Sequence, residues 1–153
     1  MQGGIKMMEG KNRIRVELDA ISENESLARV IAGAFLVPFN PTVEEMEDVK
    51  TAVCEAVTNC IIHGYENKEG IIILTMEKEN GVVSIEVEDR GVGIPDVKRA
   101  IQPLFTTKPE QERSGMGFTF MEAFMDEVEV ESTVGKGTRV QMRKKMNPAA
   151  ARE

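Results

Sequence analysis

Hydrophobic and polar positions alternate from Arg13 to Leu18, with Ile14, Val16 and Leu18 on one side, which predicts a half-buried strand. The period then lengthens. Leu27, Val30, Ile31, Ala34 and Phe35 fall on one stripe of a helix that stops before Pro38. Ser22-Glu23-Asn24-Glu25 in front of it fits a capping box, in which Ser22 bonds the backbone three residues on and Glu25 bonds back. Thr42-Val43-Glu44-Glu45 repeats the signal after Pro41. The helix it opens is predicted to run to about His63 and Gly64, with Gly64 as its C-terminal cap. Its core stripe is Met46, Val49, Val53, Ala56, Val57 and Cys60.

Strand patterns follow. Ile71 to Met76 is apolar, and Val83, Ile85 and Val87 alternate with Ser84, Glu86 and Glu88, with Asn80-Gly81 as a hairpin turn between them. Val128 to Val134 and Thr138 to Arg143 form a second pair around Gly135-Lys136-Gly137. Between the hairpins, Asp96 to Ser114 is too long to be an idle connector. These elements predict an α+β, two-layer sandwich, a mostly antiparallel sheet with helices on one face. One domain is expected over residues 12–145, with flexible ends at 1–11 and 146–153.

Composition narrows the function. A formal charge of −7 over 153 residues argues against a surface built for nucleic-acid phosphates, although Lys11, Arg13 and Arg15 form a local basic patch. The longest strongly apolar run, Val30 to Val37, is far short of the ~20 residues of a membrane span. The start of the chain lacks the order of a signal peptide, so a cytoplasmic protein without membrane or direct nucleic-acid contacts is expected. Cys54 and Cys60 suit neither a CxxC redox pair nor a zinc site and read as reduced, buried thiols. A single histidine excludes a multi-histidine metal centre.

Four separated segments carry candidate chemistry. In Glu55-Ala56-Val57-Thr58-Asn59, Glu55 and Asn59 project from one side of the helix, away from the apolar stripe. The Asn59 amide oxygen is a suitable hard ligand for Mg²⁺, and Glu55 one turn earlier could accept a proton from an attacking hydroxyl. A solvated polar face explains the pair equally simply. In Asp89-Arg90-Gly91-Val92-Gly93, an aspartate after a strand can accept from an exocyclic amine such as that of adenine, and Gly91 and Gly93 allow close backbone approach. Glycine turns after strands are common without any ligand. Arg113-Ser114-Gly115-Met116-Gly117-Phe118 opens a helix whose backbone N–H groups and dipole suit phosphates, with Lys108 and Arg113 as charge partners. A flexible turn before an ordinary helix is the alternative. Gly135-Lys136-Gly137-Thr138 is a hairpin loop whose Thr138 hydroxyl could bridge to Asp89 or a base.

Taken in order, Glu55…Asn59, Asp89-x-Gly91-x-Gly93, Gly115-x-Gly117 and Gly135-x-Gly137-Thr138 resemble the four nucleotide-binding boxes of the GHKL ATPase/kinase superfamily. Glu55 to Tyr65 (EAVTNCIIHGY) and Pro103 to Phe118 (PLFTTKPEQERSGMGF) are more narrowly similar to the anti-sigma serine-kinase branch of sporulating bacteria. The similarity runs from about Ile14 to Lys144, and the residues before Asn12 depart from it.

The resemblance implies ATP/ADP and Mg²⁺ as cofactors. Asn59 would hold the metal, Asp89 would read adenine, and Gly91, Gly93, Gly115 and Gly117 would admit base and phosphates. Thr138 would support the adenine end, Thr106 to Ser114, with Thr107, Lys108 and Arg113 among them, would be the mobile ATP lid, and Met116 and Phe118 would be further nucleotide-binding residues. Glu55 would be the general base in phosphorylating a serine of an anti-anti-sigma protein. The branch also implies a homodimer that captures a sigma factor, with Arg29 and Glu25 matching positions of partner contact. An exposed helix arginine and a capping glutamate need no partner, however. His63 reads as a helix-end residue facing the C-terminal dipole. The equivalent stress-response kinase and a non-catalytic, ATP-dependent sigma-binding protein remain as alternatives. A sensor histidine-kinase module would need an upstream phospho-accepting helical hairpin, for which the residues before Ile14 are too few.

Overall fold

The computed structural model describes residues 11–102 and 117–146. Strand β1 (Asn12–Asp19) leads into helix α1 (Glu23–Leu36), a single 3₁₀ turn (Val37–Phe39) and helix α2 (Val43–Asn59). Strands β2 (Ile71–Glu79) and β3 (Val82–Asp89), a four-residue helix α3 (Val97–Ala100), helix α4 (Gly117–Phe124), and strands β4 (Glu127–Thr133) and β5 (Gly137–Lys145) complete the order. The sheet runs β1-β2-β3-β5-β4 with every neighbouring pair antiparallel. It is the α+β sandwich that the sequence patterns predict.

The turn of the first hairpin follows from its residues. Asn80 and Gly81 both have positive φ, 54° and 78°, as the twist of a two-residue hairpin requires, and Glu79 pairs with Val82 beside them. One face of the sheet is apolar. Ile72, Leu74, Met76, Val83, Ile85, Val87, Val140 and Met142 are buried against the helices. Helix α2 packs against both α1 and α4, and the Lys144 ammonium donates to the Phe124 carbonyl at 2.8 Å, satisfying the end of α4. The opposite face is polar and ion-paired. Arg13 meets Glu77 across the β1–β2 ladder at 2.8 Å, and Lys11 meets Glu79 at 3.7 Å, so two of the three cations of the expected basic patch are paired with carboxylates.

The two predicted capping boxes differ in outcome. At α2 both arms form at 3.0 Å, Glu45 N–H to the Thr42 hydroxyl and Thr42 N–H to the Glu45 carboxylate. At α1 neither does. Ser22 is already in the helical region (φ −63°, ψ −29°) and makes no side-chain cap bond. An extended N-cap aims its oxygen at the first turn; a helical one does not. Asn24 instead donates its side-chain amide to the Asp19 carbonyl at 2.8 Å.

Two further expectations shift. The buried face of α1 is Ala28, Ala32, Phe35 and Leu36, with Ile31 at its edge, whereas Leu27, Val30 and Ala34 point outward. Small alanines at 28 and 32 let α1 approach its neighbours closely, and this outweighs the larger residues one position away. The stripe of α2 holds at Val49, Val53, Ala56, Val57 and Cys60 and adds Ala52, with Met46 half-buried. Met146, assigned to a flexible end, is buried and donates its backbone N–H to the Gly81 carbonyl at 2.8 Å. Among the described residues, no helix is long and apolar enough to cross a membrane.

Candidate functional site

Helix α2 ends at Asn59, and the chain widens into one π-turn, Cys60–Gly64, closed by Tyr65 N–H to the Cys60 carbonyl at 2.8 Å. Such turns often sit at functional sites. The turn corrects the reading of Gly64 as a left-handed cap, because Gly64 is not among the glycines of positive φ. Its small size is needed for another reason. A Cβ on Gly64 would stand 2.7 Å from Asp89 Oδ2, and one on Gly91 would stand 2.0 Å from the Gly64 carbonyl oxygen. Val92 N–H donates to that same carbonyl at 2.9 Å, so the loop after β3 is seated directly on the end of α2.

The loop is also tied to the β4–β5 hairpin. Gly135 N–H donates to the Val92 carbonyl at 2.8 Å, and Ile94 N–H donates to the Ser132 hydroxyl at 2.7 Å. Gly93, at φ 81°, passes so near β4 that a Cβ would lie 2.3 Å from the Thr133 carbonyl oxygen. The glycines of this loop therefore admit neighbouring protein backbone, in addition to any room they leave for a ligand. Tyr65 fastens a further side: its hydroxyl donates to the Ile71 carbonyl at 2.6 Å and accepts from Arg90 N–H at 2.7 Å.

Asp89, the last residue of β3, is only 5 % exposed. Its Oδ1 accepts from Gly91 N–H at 2.9 Å, and the Cys60 thiol and the Thr138 backbone also hydrogen-bond to the carboxylate. Burial pushes this carboxyl above the ordinary aspartate range, and those three hydrogen bonds draw it only partly back. The Cys60 thiol is pushed well up, first by burial and then by the charge of Asp89. Thr138 pairs with Asp89 across the β3–β5 ladder, and its backbone, rather than its hydroxyl, hydrogen-bonds to that carboxylate. The Thr138 hydroxyl lies 2.8 Å from the Ser132 hydroxyl, which also donates to the Gly137 carbonyl at 3.0 Å.

Glu55 and Asn59 meet the start of α4. A Cβ on Gly117 would stand 3.3 Å from Glu55 Oε1 and 3.4 Å from the Asn59 side chain. The pair is half-buried beside α4, not spread over an open polar face. Asn59, Asp89, Gly93, Gly117, Phe118 and Thr138 all line one cleft of about 540 Å³, which His63 also borders. Thr106, Thr107, Lys108, Arg113, Ser114, Gly115 and Met116 lie outside the described residues. Arg29 and Glu25 lie away from the cleft on α1, where the Arg29 guanidinium pairs with Glu47 of α2 at 2.8 Å. Three residues of the site escape motif reading: Cys60, Tyr65 and Ser132. The signal for Tyr65 was its place in the HGY run, whereas Ser132 becomes visible only through the β4–β5 register opposite Thr138.

Among the described residues, no three His, Cys, Asp or Glu side chains cluster as a metal site. The amide oxygen of Asn59, which lines the cleft, offers one hard ligand. That suits Mg²⁺, which is commonly carried by nucleotide phosphates with one or two protein ligands.

Residues 18–144 match the family described as "Histidine kinase-like ATPase domain". The chain is 56% identical over 137 residues to the anti-sigma F factor of Thermoanaerobacter sp. (strain X514), covering 90% of this chain and 96% of that one. It is 57% identical over 135 residues to the anti-sigma F factor of Geobacillus kaustophilus (strain HTA426), covering 88% and 92%. In fold it is similar to the RsbU and RsbW domains of Rv1364c from Mycobacterium tuberculosis, at TM-score 0.65 and 20% identity, covering 90% of this chain and 34% of that one. The chain belongs to the histidine kinase-like ATPases and, within them, to the anti-sigma F factors.

Proposed function

We propose that this protein binds Mg²⁺-ATP in the cleft between α2, the β3 loop and α4, captures a sigma factor of the sporulation type, and phosphorylates a serine of an anti-anti-sigma partner. The observation that carries the reading is the convergence of Asn59, Asp89, Gly117 and Thr138, from four distant stretches of chain, on one cleft.

Each residue has a physical task. The buried Asp89 accepts a hydrogen bond from the 6-amino group of adenine, which selects this base over one with a carbonyl there. Asn59 holds the metal by its amide oxygen. Mg²⁺, when bound, neutralises charge on the phosphates. The first turn of α4 presents backbone N–H groups at the edge of the cleft beside Asn59. Glu55, adjacent to Asn59 at that helix start, takes the proton of the serine hydroxyl as the γ-phosphoryl passes to it and ADP is left. Thr106, Thr107, Lys108, Arg113 and Ser114 are proposed to belong to the ATP lid, with Gly115 and Met116 as further nucleotide-binding residues. A homodimer and contact of Arg29 and Glu25 with partners belong to the same reading.

The test is transfer of labelled phosphate to a purified anti-anti-sigma protein, with calorimetry of ADP in parallel. Glu55→Gln should lower phosphoserine formation by about 10²–10⁴ while leaving ADP and sigma binding intact. Undiminished transfer removes Glu55 from its role. Nucleotide and sigma binding without any phosphoserine product makes the protein a non-catalytic sigma-binding factor.

A further inference from the structure

Cys60 takes no part in the chemistry above, yet it stands against Asp89, a buried carboxylate of the cleft. The residue is buried, and its thiol hydrogen-bonds to the Asp89 side chain. Both lie on the wall of the same cleft. A thiol carries one S–H that can donate to a carboxylate.

The hydrogen-bond capacity of Asp89 gives that donor a purpose. An ionised carboxylate offers about four lone-pair sites. Three are engaged from within the chain: by Gly91 N–H, by the Thr138 backbone and by the Cys60 thiol. What remains is one acceptor direction, open to the cleft.

We propose that Cys60 is a positioning residue for nucleobase selection: its thiol proton occupies one lone pair of Asp89, so that the carboxylate presents a single, fixed acceptor to the 6-amino group of adenine. This rests on the reading of the cleft as an adenine site. Without the thiol, the carboxylate keeps its charge but gains a second free lone pair, which can turn toward water or toward a different base. The one-turn widening of the chain at Cys60–Gly64 places the thiol and the Gly64 Cα on the same carboxylate.

The experiment compares Mg²⁺-ADP with the diphosphate of purine riboside, which lacks only the 6-amino group, by calorimetry on the full chain and on Cys60→Ala and Cys60→Ser. In the unaltered chain, loss of the amine should weaken binding by about 10- to 100-fold, the range for a hydrogen bond to a charged group. In Cys60→Ala that penalty should shrink by about threefold or more, and Cys60→Ser, which restores a donor, should recover it. Melting curves confirm that each variant is folded. If Cys60→Ala weakens both ligands equally, so that the penalty is unchanged, the thiol is packing alone and the inference is overturned. If the unaltered chain binds neither ligand, the adenine-site reading fails and takes this inference with it.

Discussion

Gly64 and Asp89 are in direct van der Waals contact across the end of α2 and the end of β3, so close that a single added methyl would stand 2.7 Å from Oδ2. The helix end and the Asp89 carboxylate are thus one packed unit. Gly64→Ala must push Asp89 away from its position. The expected result is at least a tenfold loss of ADP affinity by calorimetry. Overpacking of this kind should also lower stability by about 1–3 kcal/mol in urea.

The burial of Asp89 makes a pH signature. Its folded carboxyl is raised above the ordinary aspartate range by desolvation. A raised acid favours the folded state below its unfolded value, and that contribution is lost as pH rises through the folded value. Adenine recognition runs the other way, because the amine needs an ionised acceptor. Just above the ordinary aspartate range, ADP affinity should therefore rise with pH. Over the same window, the stability difference between the ligand-free chain and Asp89→Asn should fall. Calorimetry and melting across that window, on both chains, check the two slopes.

The unequal caps predict unequal costs. Thr42→Ala removes the hydroxyl that accepts from Glu45 N–H in a formed capping box and should lower stability by about 1 kcal/mol. Ser22→Ala removes a hydroxyl that makes no cap bond and should fall within about 0.5 kcal/mol of the unaltered chain. Paired denaturation curves measure both.

Arg29 reaches from α1 to Glu47 of α2 at 2.8 Å, in a pair well exposed on both sides. Pairs of this kind contribute about 0–1 kcal/mol. Arg29→Ala should therefore leave the melting temperature nearly unchanged. A loss of sigma-factor capture by that folded variant would assign the guanidinium to the partner surface, and full capture would remove it.

How much could be read before folding depends on the range of the interaction. Strand alternation, the Asn80-Gly81 turn and the Thr42 capping box are local, and each was legible because the determining residues lie within a few positions of one another. The phase of α1 was not. Leu27 and Val30 outrank Ala28 and Ala32 on hydrophobicity, and only the closeness of the neighbouring elements decides that the small residues face inward.

The site divides along the same line. The order of its polar and glycine residues named Asn59, Asp89, Gly117 and Thr138 from sequence alone, since residue chemistry is written position by position. Their meeting was decided by tertiary structure. Gly64 against Asp89, Gly91 against Gly64 and the Cys60 thiol on a buried carboxylate are contacts between segments tens of residues apart, and Ser132 meets Thr138 only across the β4–β5 register. Such contacts follow from strand register and the width of one helical turn, and neither is encoded at any single position.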